Sequence, residues 1–137
     1  MQRTFTIIKP DAVKARKAGA IIARLENEGF EIRAMKRVHL TPAQAEGFYH
    51  VHRERPFFQS LITFMTEEPV VMMVLDRENA IETLRKVMGA TDPAKAADGT
   101  IRKEFATNIE RNAIHGSDGP DTAAFEISYF FSQLEIA

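Results

Sequence analysis

The chain has 137 residues, no cysteine, a charged share of 27% and a formal net charge of −1. That length suits a single domain, 1–137, able to bury a full core without disulfides or metals. The absence of cysteine excludes a disulfide scaffold and any thiolate metal site. The near-neutral balance argues against a constitutive nucleic-acid binder, though not against a locally basic pocket.

Met1-Gln2-Arg3-Thr4 runs into an apolar stretch, Phe5 to Ile8, too short for a secretory h-region. Thr4 to Lys9 reads as a first strand, stopped by Pro10. Asp11 is placed to cap a helix from Ala12, which Gly19 interrupts. Ile21, Ile22 and Leu25 recur at helical spacing until Gly29. From Phe30 to Leu40 the period changes to two. Phe30, Ile32, Ala34, Val38 and Leu40 share one face, with Lys36 the exception, as in a half-buried strand. Thr41-Pro42-Ala43-Gln44 is a capping box with proline at the first helical position, and its helix should reach about Val51. Phe58, Leu61, Ile62 and Met65 then mark a second short helix. Val70 to Leu75 is the longest apolar run; it is far below a membrane span and reads as a central strand covered on both faces.

Asp76 is placed to cap the next helix, whose core stripe is Ala80, Ile81, Leu84, Val87 and Met88, and Gly89 ends it. A long stretch of weak periodicity follows to Asn112, and loops that long are usually functional. Ala113 to His115 is a short strand, and a last helix runs from Pro120 or Asp121 to Phe131. The pattern predicts an α+β, ferredoxin-like split β-α-β sandwich. It has a four-stranded antiparallel sheet with helices around it, gathered on one face.

The chemistry concentrates at Asn112-Ala113-Ile114-His115-Gly116-Ser117-Asp118. Histidine can act as a nucleophile near neutral pH, although a lone histidine is as readily a satisfied residue at a strand end. Ser117 and Asp118 are placed to cap the next helix, whose N-terminal amides suit an anion. Asn112 falls on the opposite strand face from His115 if the pleat holds, but its place at the loop mouth would let it turn to a ligand. Glu126 lies in the apolar last helix, either facing solvent or orienting the imidazole. Lys9, Arg85 and Arg102 read singly as surface charges. In this topology they would converge at one end of the sheet, as a transferring phosphoryl group requires. Phe57 stands one position off its helix stripe and is either a core aromatic or a stacking platform for a base. Tyr49 reads as half-buried with a locally bonded hydroxyl. His50 and His52 do not share a helix face and are read as surface residues rather than metal ligands, and His39 falls on the polar strand face. Gly99 and Gly116 are placed for turns. No Walker loop and no Gly-x-Gly-x-x-Gly occurs, so nucleotide binding of those kinds is not supported.

With His115 in Asn-x-x-His-Gly-Ser-Asp, the chain resembles the nucleoside diphosphate kinase family over nearly its whole length. Further matching segments are Thr6-Ile7-Ile8-Lys9-Pro10-Asp11, Arg55-Pro56-Phe57-Phe58, Met88-Gly89-Ala90-Thr91-Asp92-Pro93 and Gly99-Thr100-Ile101-Arg102. The resemblance implies that His115 is phosphorylated and that Glu126 bonds its ring. It implies that Lys9, Arg85, Thr91 and Arg102 hold phosphates, and that Asn112 and Lys9 contact the sugar hydroxyl. Phe57 would lie under the base with Ile109 near it, while Tyr49 and Ser117 support the histidine and the transferring phosphate. It further implies a ping-pong transfer from nucleoside triphosphate to diphosphate with low base selectivity, and a homo-oligomer (dimer, tetramer or hexamer). Mg²⁺ would be held mainly through the nucleotide phosphates, with no dedicated protein site. Phe5–Ile7 or Glu31–Arg37 could supply a strand edge to such an assembly. The expected setting is cytoplasmic, with no membrane and no nucleic acid as partner. Two rival readings are a nucleotide-binding module without turnover and a nucleic-acid-binding interaction protein.

Overall fold

The computed structural model describes residues 1–137 and carries four strands: β1 (Gln2–Ile8), β2 (Glu31–Val38), β3 (Val70–Arg77) and β4 (Ile114–Gly116). They pair antiparallel in the order β2-β3-β1-β4. The helices are α1 (Pro10–Lys14), α2 (Ala18–Asn27), α3 (Pro42–Phe48), α4 (Phe58–Thr66), α5 (Ala80–Met88), α6 (Ile101–Phe105) and α7 (Pro120–Phe130). This is the expected α+β, ferredoxin-like sheet. None of the helices is long and apolar enough to cross a membrane.

The helices do not gather on one face. Strands β1 and β3 alternate apolar side chains to both sides, so each sheet face needs its own cover. Phe5, Ile7, Met72 and Val74 pack with Phe48, Met65 and Phe131 on the side of α3 and α4. Ile8, Val71, Met73 and Leu75 pack with Leu25 and Leu84 on the side of α2 and α5. The apolar run of β3 is buried throughout, as its sequence requires.

Strand β2 departs from a single pleat. Its register against β3 slips between Ile32 and Ala34, so Arg33 is an extra residue. A bulge of this kind exchanges the two faces. Phe30 and Ile32 therefore join the α2/α5 core, while Ala34, Val38 and Leu40 join the other. The exception Lys36 is satisfied: its Nζ donates to the Phe130 carbonyl at 2.6 Å, pairs with Glu135 at 2.9 Å and lies 4.5 Å from the centre of the Phe131 ring.

Other local expectations shift for identifiable reasons. Pro10 opens α1 instead of merely ending β1, with Lys9 at its N-cap, so Asp11 caps nothing and its carboxylate turns elsewhere. The break between α1 and α2 falls at Arg16, whose φ is 63°, and Gly19 lies inside α2. Thr41 and Gln44 form the reciprocal capping box, but α3 ends at Phe48 and passes into a 3₁₀ turn, His50–His52. Asp76 stays in β3 and accepts both guanidinium bonds of Arg3, at 2.7 and 2.9 Å, so it does not cap α5. The α5 stripe is buried as expected. Gly116 belongs to β4 and not to a turn. A Cβ there would fall 2.6 Å from Met88 Sδ and 2.9 Å from Leu84 Cδ2, so the glycine lets α5 seat directly on β4. Strand β1 is interior, so Phe5–Ile7 offers no free edge; β2 is an edge, and the Ala137 amide donates to the Arg33 carbonyl there.

Candidate active site

His115 is the middle residue of β4 and pairs opposite Ile7. Ring edges of Phe5, Phe48 and Tyr49 surround the imidazole, with centroids 6.3, 5.5 and 6.4 Å away. Nε2 stands 2.8 Å from Glu126 Oε1, and the Ser117 hydroxyl donates to that same oxygen at 2.7 Å. A carboxylate can only accept, so Nε2 is the donor, and in the neutral imidazole Nδ1 keeps its lone pair. Of the two readings of Glu126, the orienting one is therefore the observed one. Ser117 serves this carboxylate, and the α7 N-cap falls to Gly119, whose amide donates to Thr122 Oγ1 at 2.9 Å.

A cleft of about 520 Å³ opens beside the imidazole, within the ordinary range for small-molecule sites. Its lining brings together every sequence-predicted site residue except Ser117, which sits fully buried behind Glu126. Lys9 is buried at the floor, and its Nζ donates to Asn112 Oδ1 at 2.9 Å. Asn112 reaches this cleft because the pleat does not hold: Ala113 has a φ of 73°. Arg102 lies in α6 and not in open loop, and is buried. It donates to the Gly89 carbonyl at 3.1 Å and to the Ile114 carbonyl at 2.7 Å. Arg85, beside the buried Leu84, is more exposed and pairs with Asp118 at 2.7 Å. Thr91, Phe57 and Ile109 stand at the rim. Phe57 is 45% and Ile109 62% exposed, so Phe57 is not a core aromatic.

The electrostatics favour an anion. Burial, together with the charge of Arg102, pulls Lys9 down from its ordinary 10.5 to about 8, while Asp11 and Glu110 partly restore it. Burial and the charge of Arg85 pull Arg102 down to about 10. Cations crowded in this way repel one another, and an anionic ligand among them would relieve both the repulsion and the lost hydration. Two buried polar atoms of the lining, the Tyr49 hydroxyl and Arg102 Nε, have no hydrogen-bond partner. Tyr49 is thus more buried than its sequence suggested and is not bonded locally. Burial and the nearby Glu126 push its phenol up, so it stays an O–H donor. Unpartnered buried donors point to a ligand that completes them. A larger groove of about 750 Å³ beyond Arg85 and Asp118 contains no such atom.

The sequence pattern reads His52 as a surface residue, whereas the fold sets it on this cleft. It is half-buried against the cleft, its ring between Tyr49 at 6.4 Å and Phe57 at 5.7 Å. Its signal was the spacing of three from Tyr49, which shares a helical face even in a 3₁₀ turn. Glu110 also lines the cleft, tied to the Ser60 hydroxyl at 3.0 Å. His39, by contrast, lies outside it, with Nε2 2.7 Å from the Thr66 carbonyl.

A family model described as nucleoside diphosphate kinase matches residues 2–136. A nucleoside diphosphate kinase of Desulfosudis oleivorans is 62% identical over 136 residues, covering 99% of this chain and 98% of its own length. One from Nitratidesulfovibrio vulgaris is 60% identical with the same coverage. Among solved structures, the nucleoside diphosphate kinase of Aquifex aeolicus superposes with a TM-score of 0.97 at 47% identity, covering 99% of both chains. That of Halobacterium salinarum, solved in complex with CDP, gives 0.96 at 38% identity, covering 99% of this chain and 91% of its own.

Proposed function

Because the chain belongs to the nucleoside diphosphate kinase family, whose enzymes transfer phosphate between nucleotides, we propose that it works by a ping-pong route through phosphohistidine at His115. The observation that carries this reading is the pairing of His115 Nε2 with Glu126 at 2.8 Å beside a cleft of buried cations. That bond leaves Nδ1 as the nucleophile. Nδ1 attacks the γ-phosphorus of a nucleoside triphosphate, the bond from that phosphorus to the β–γ bridging oxygen breaks, and the diphosphate leaves with the electron pair. A terminal oxygen of a second diphosphate then attacks the phosphohistidine, and Nδ1 recovers its lone pair. Glu126 balances the positive charge that develops on the ring, and Ser117 holds that carboxylate in place.

Lys9, Arg85, Arg102 and Thr91 hold the phosphates and offset charge as it shifts between leaving and attacking oxygens. Removing one such donor where it is buried typically costs about 10²–10³ in turnover. Tyr49 donates its free hydroxyl toward the transferring group, and Asn112 with Lys9 holds the sugar hydroxyl. Phe57 stacks on the base with Ile109 opposite; neither side chain reads a base edge, so base selectivity is low. The CDP in the Halobacterium salinarum relative supports a nucleoside diphosphate as the ligand class.

Mg²⁺ fits this donor set as an ion carried on the phosphates, since Glu126 is engaged by His115 and Ser117 and Asp118 by Arg85. When bound it neutralises phosphate charge. We further propose a cytoplasmic homo-oligomer of single-domain subunits, 1–137, with the outer strand β2, beyond its Ala137 contact at Arg33, as the candidate edge. Light scattering after gel filtration reads the assembly. Incubation with γ-labelled ATP should give an acid-labile, alkali-stable phosphoprotein that passes its label to a different diphosphate. Label that survives in His115→Ala would remove the role given to His115.

A further inference from the structure

We infer that Asp11 is a positioning residue for this site: its carboxylate anchors Ala113 in a left-handed backbone conformation, and that conformation turns Asn112 onto Lys9 in the cleft that His115 lines. The inference rests on the reading that Lys9 and Asn112 hold the sugar hydroxyl.

Ala113 is the starting point. Its φ of 73° is unfavourable for a residue with a Cβ, and such strain survives only where the surroundings over-determine it. Beside the local bond that the Ile114 amide donates to the Asn112 carbonyl at 2.9 Å across Ala113, two long-range bonds do so here. The Ala113 amide donates to Asp11 Oδ2 at 3.1 Å, and the Ala113 carbonyl accepts from the Lys9 amide at 2.8 Å. Both partners come from one short segment, with Pro10 rigid between them at the start of α1. The Ala113 methyl is fully buried, which adds a packing constraint.

The strained residue decides where Asn112 points. In a regular strand, residues three apart lie on opposite faces, so Asn112 and His115 would part. With Ala113 left-handed, both line one cleft. Asn112 Oδ1 then accepts from Lys9 Nζ at 2.9 Å, and its Nδ2 donates to the Ile109 carbonyl at 2.9 Å. Asp11 keeps this role at a visible cost. Its Oδ1 is buried without a partner, and burial pushes its carboxyl above the ordinary range. As a first-turn acid on a five-residue helix alone, it would have no need to face inward.

The test compares kcat/KM for a nucleoside diphosphate with that for its 2′-deoxy and 3′-deoxy analogues. Asp11→Ala should lower the preference for the hydroxylated sugar about tenfold or more, a part of the roughly 10⁴–10⁵ discrimination that an intact buried hydrogen-bonding site can reach. Asp11→Asn keeps an oxygen for the Ala113 amide and should retain most of the preference. Adding Ala113→Gly to Asp11→Ala should recover part of it, because glycine adopts this φ without strain. An equal loss for all substrates in Asp11→Ala, with the preference intact, overturns the inference. If that variant does not fold, the wild-type enzyme decides: the Ala113 amide resonance should shift with ionisation of the Asp11 carboxyl, and an amide indifferent to it overturns the anchor. A wild-type enzyme indifferent to both sugar hydroxyls contradicts the sugar reading itself, and the inference falls with it. A wild type and an Asp11→Ala variant that discriminate equally refute the anchor alone.

Discussion

The floor of the cleft and its rim are built in different ways. Lys9, Arg102 and Asn112 are each at most 8% exposed, and each bonds to a residue distant in sequence or to strand backbone. At the rim, Phe57 and Ile109 are exposed, and the segment carrying Ile109 is tied to α4 through surface contacts: Ser60 with Glu110, and Glu67 with Arg111 at 2.6 and 3.1 Å. Exposed contacts of this kind are worth about 0–1 kcal/mol each. The difference matches the two demands of the proposed chemistry. A phosphoryl group in flight needs charge fixed to a fraction of an ångström, whereas a base of variable size needs only a face to lie on.

The largest effect should come from His115→Ala. Turnover should fall by about 10⁴-fold or more and labelling should vanish, because no other group offers a lone pair at that point. Next come two arginines of equal charge but unequal burial. Arg102→Ala should cost about 10²–10³ in kcat, and it should lower stability as well, since the Gly89 and Ile114 carbonyls lose their donor. Arg85→Ala should cost about tenfold or less and depend more on salt, because that charge is solvated and shared with Asp118. Equal losses at the two positions would erase the distinction between floor and rim.

Lys9 gives the floor a pH signature. With its pKa drawn down to about 8, the ammonium is lost as pH rises through 8, so kcat/KM should fall there. Stability moves the other way. Folding lowers the pKa from 10.5, so the cost of burying the charge is fully present below about 8. It is relieved as pH climbs from 8 toward 10.5, where the unfolded chain still holds the proton and the folded one does not. Thermal midpoints and rates followed over that window should therefore diverge, and Lys9→Met should remove the rise in midpoint. Rates unchanged through pH 8 to 9 would count against a charged Lys9 in the reaction.

The parts of the molecule legible in the sequence are those governed by repetition. The β3 run, the α5 stripe and the Thr41 capping box each follow a fixed period or a contact three residues away. What escaped are single events. One extra residue, Arg33, reverses the faces of β2, and one backbone angle at Ala113 reverses Asn112. Periodicity averages over such events and cannot register them. Asp11 and Asp76 looked like helix caps because capping is local, but their partners, Ala113 and Arg3, lie far along the chain. The candidate site residues stand out for another reason: the resemblance names them individually, and all but Ser117 line one cleft. Their burial, and the partnerless hydroxyl of Tyr49, required the fold.

The smallest effect is expected at the rim, from Phe57→Ala. The ring stands at the N-cap of α4, exposed, with His52 behind it at 5.7 Å. Loss of a base–aromatic stack is worth about 1–3 kcal/mol. The exposure of Phe57 and the surviving contact with Ile109 favour the low end, about a fivefold to tenfold rise in KM. Because stacking uses the π-face common to all bases, the rise should be similar for purine and pyrimidine diphosphates. Because the ring is remote from the transferring group, kcat should change much less than KM. Steady-state kinetics with one diphosphate of each base class measures both quantities. A rise confined to one class would mean that the rim reads base identity. A fall in kcat as deep as that of Arg102→Ala would mean that rim and floor act as one rigid unit, and that base tolerance comes from somewhere other than the looseness of the rim.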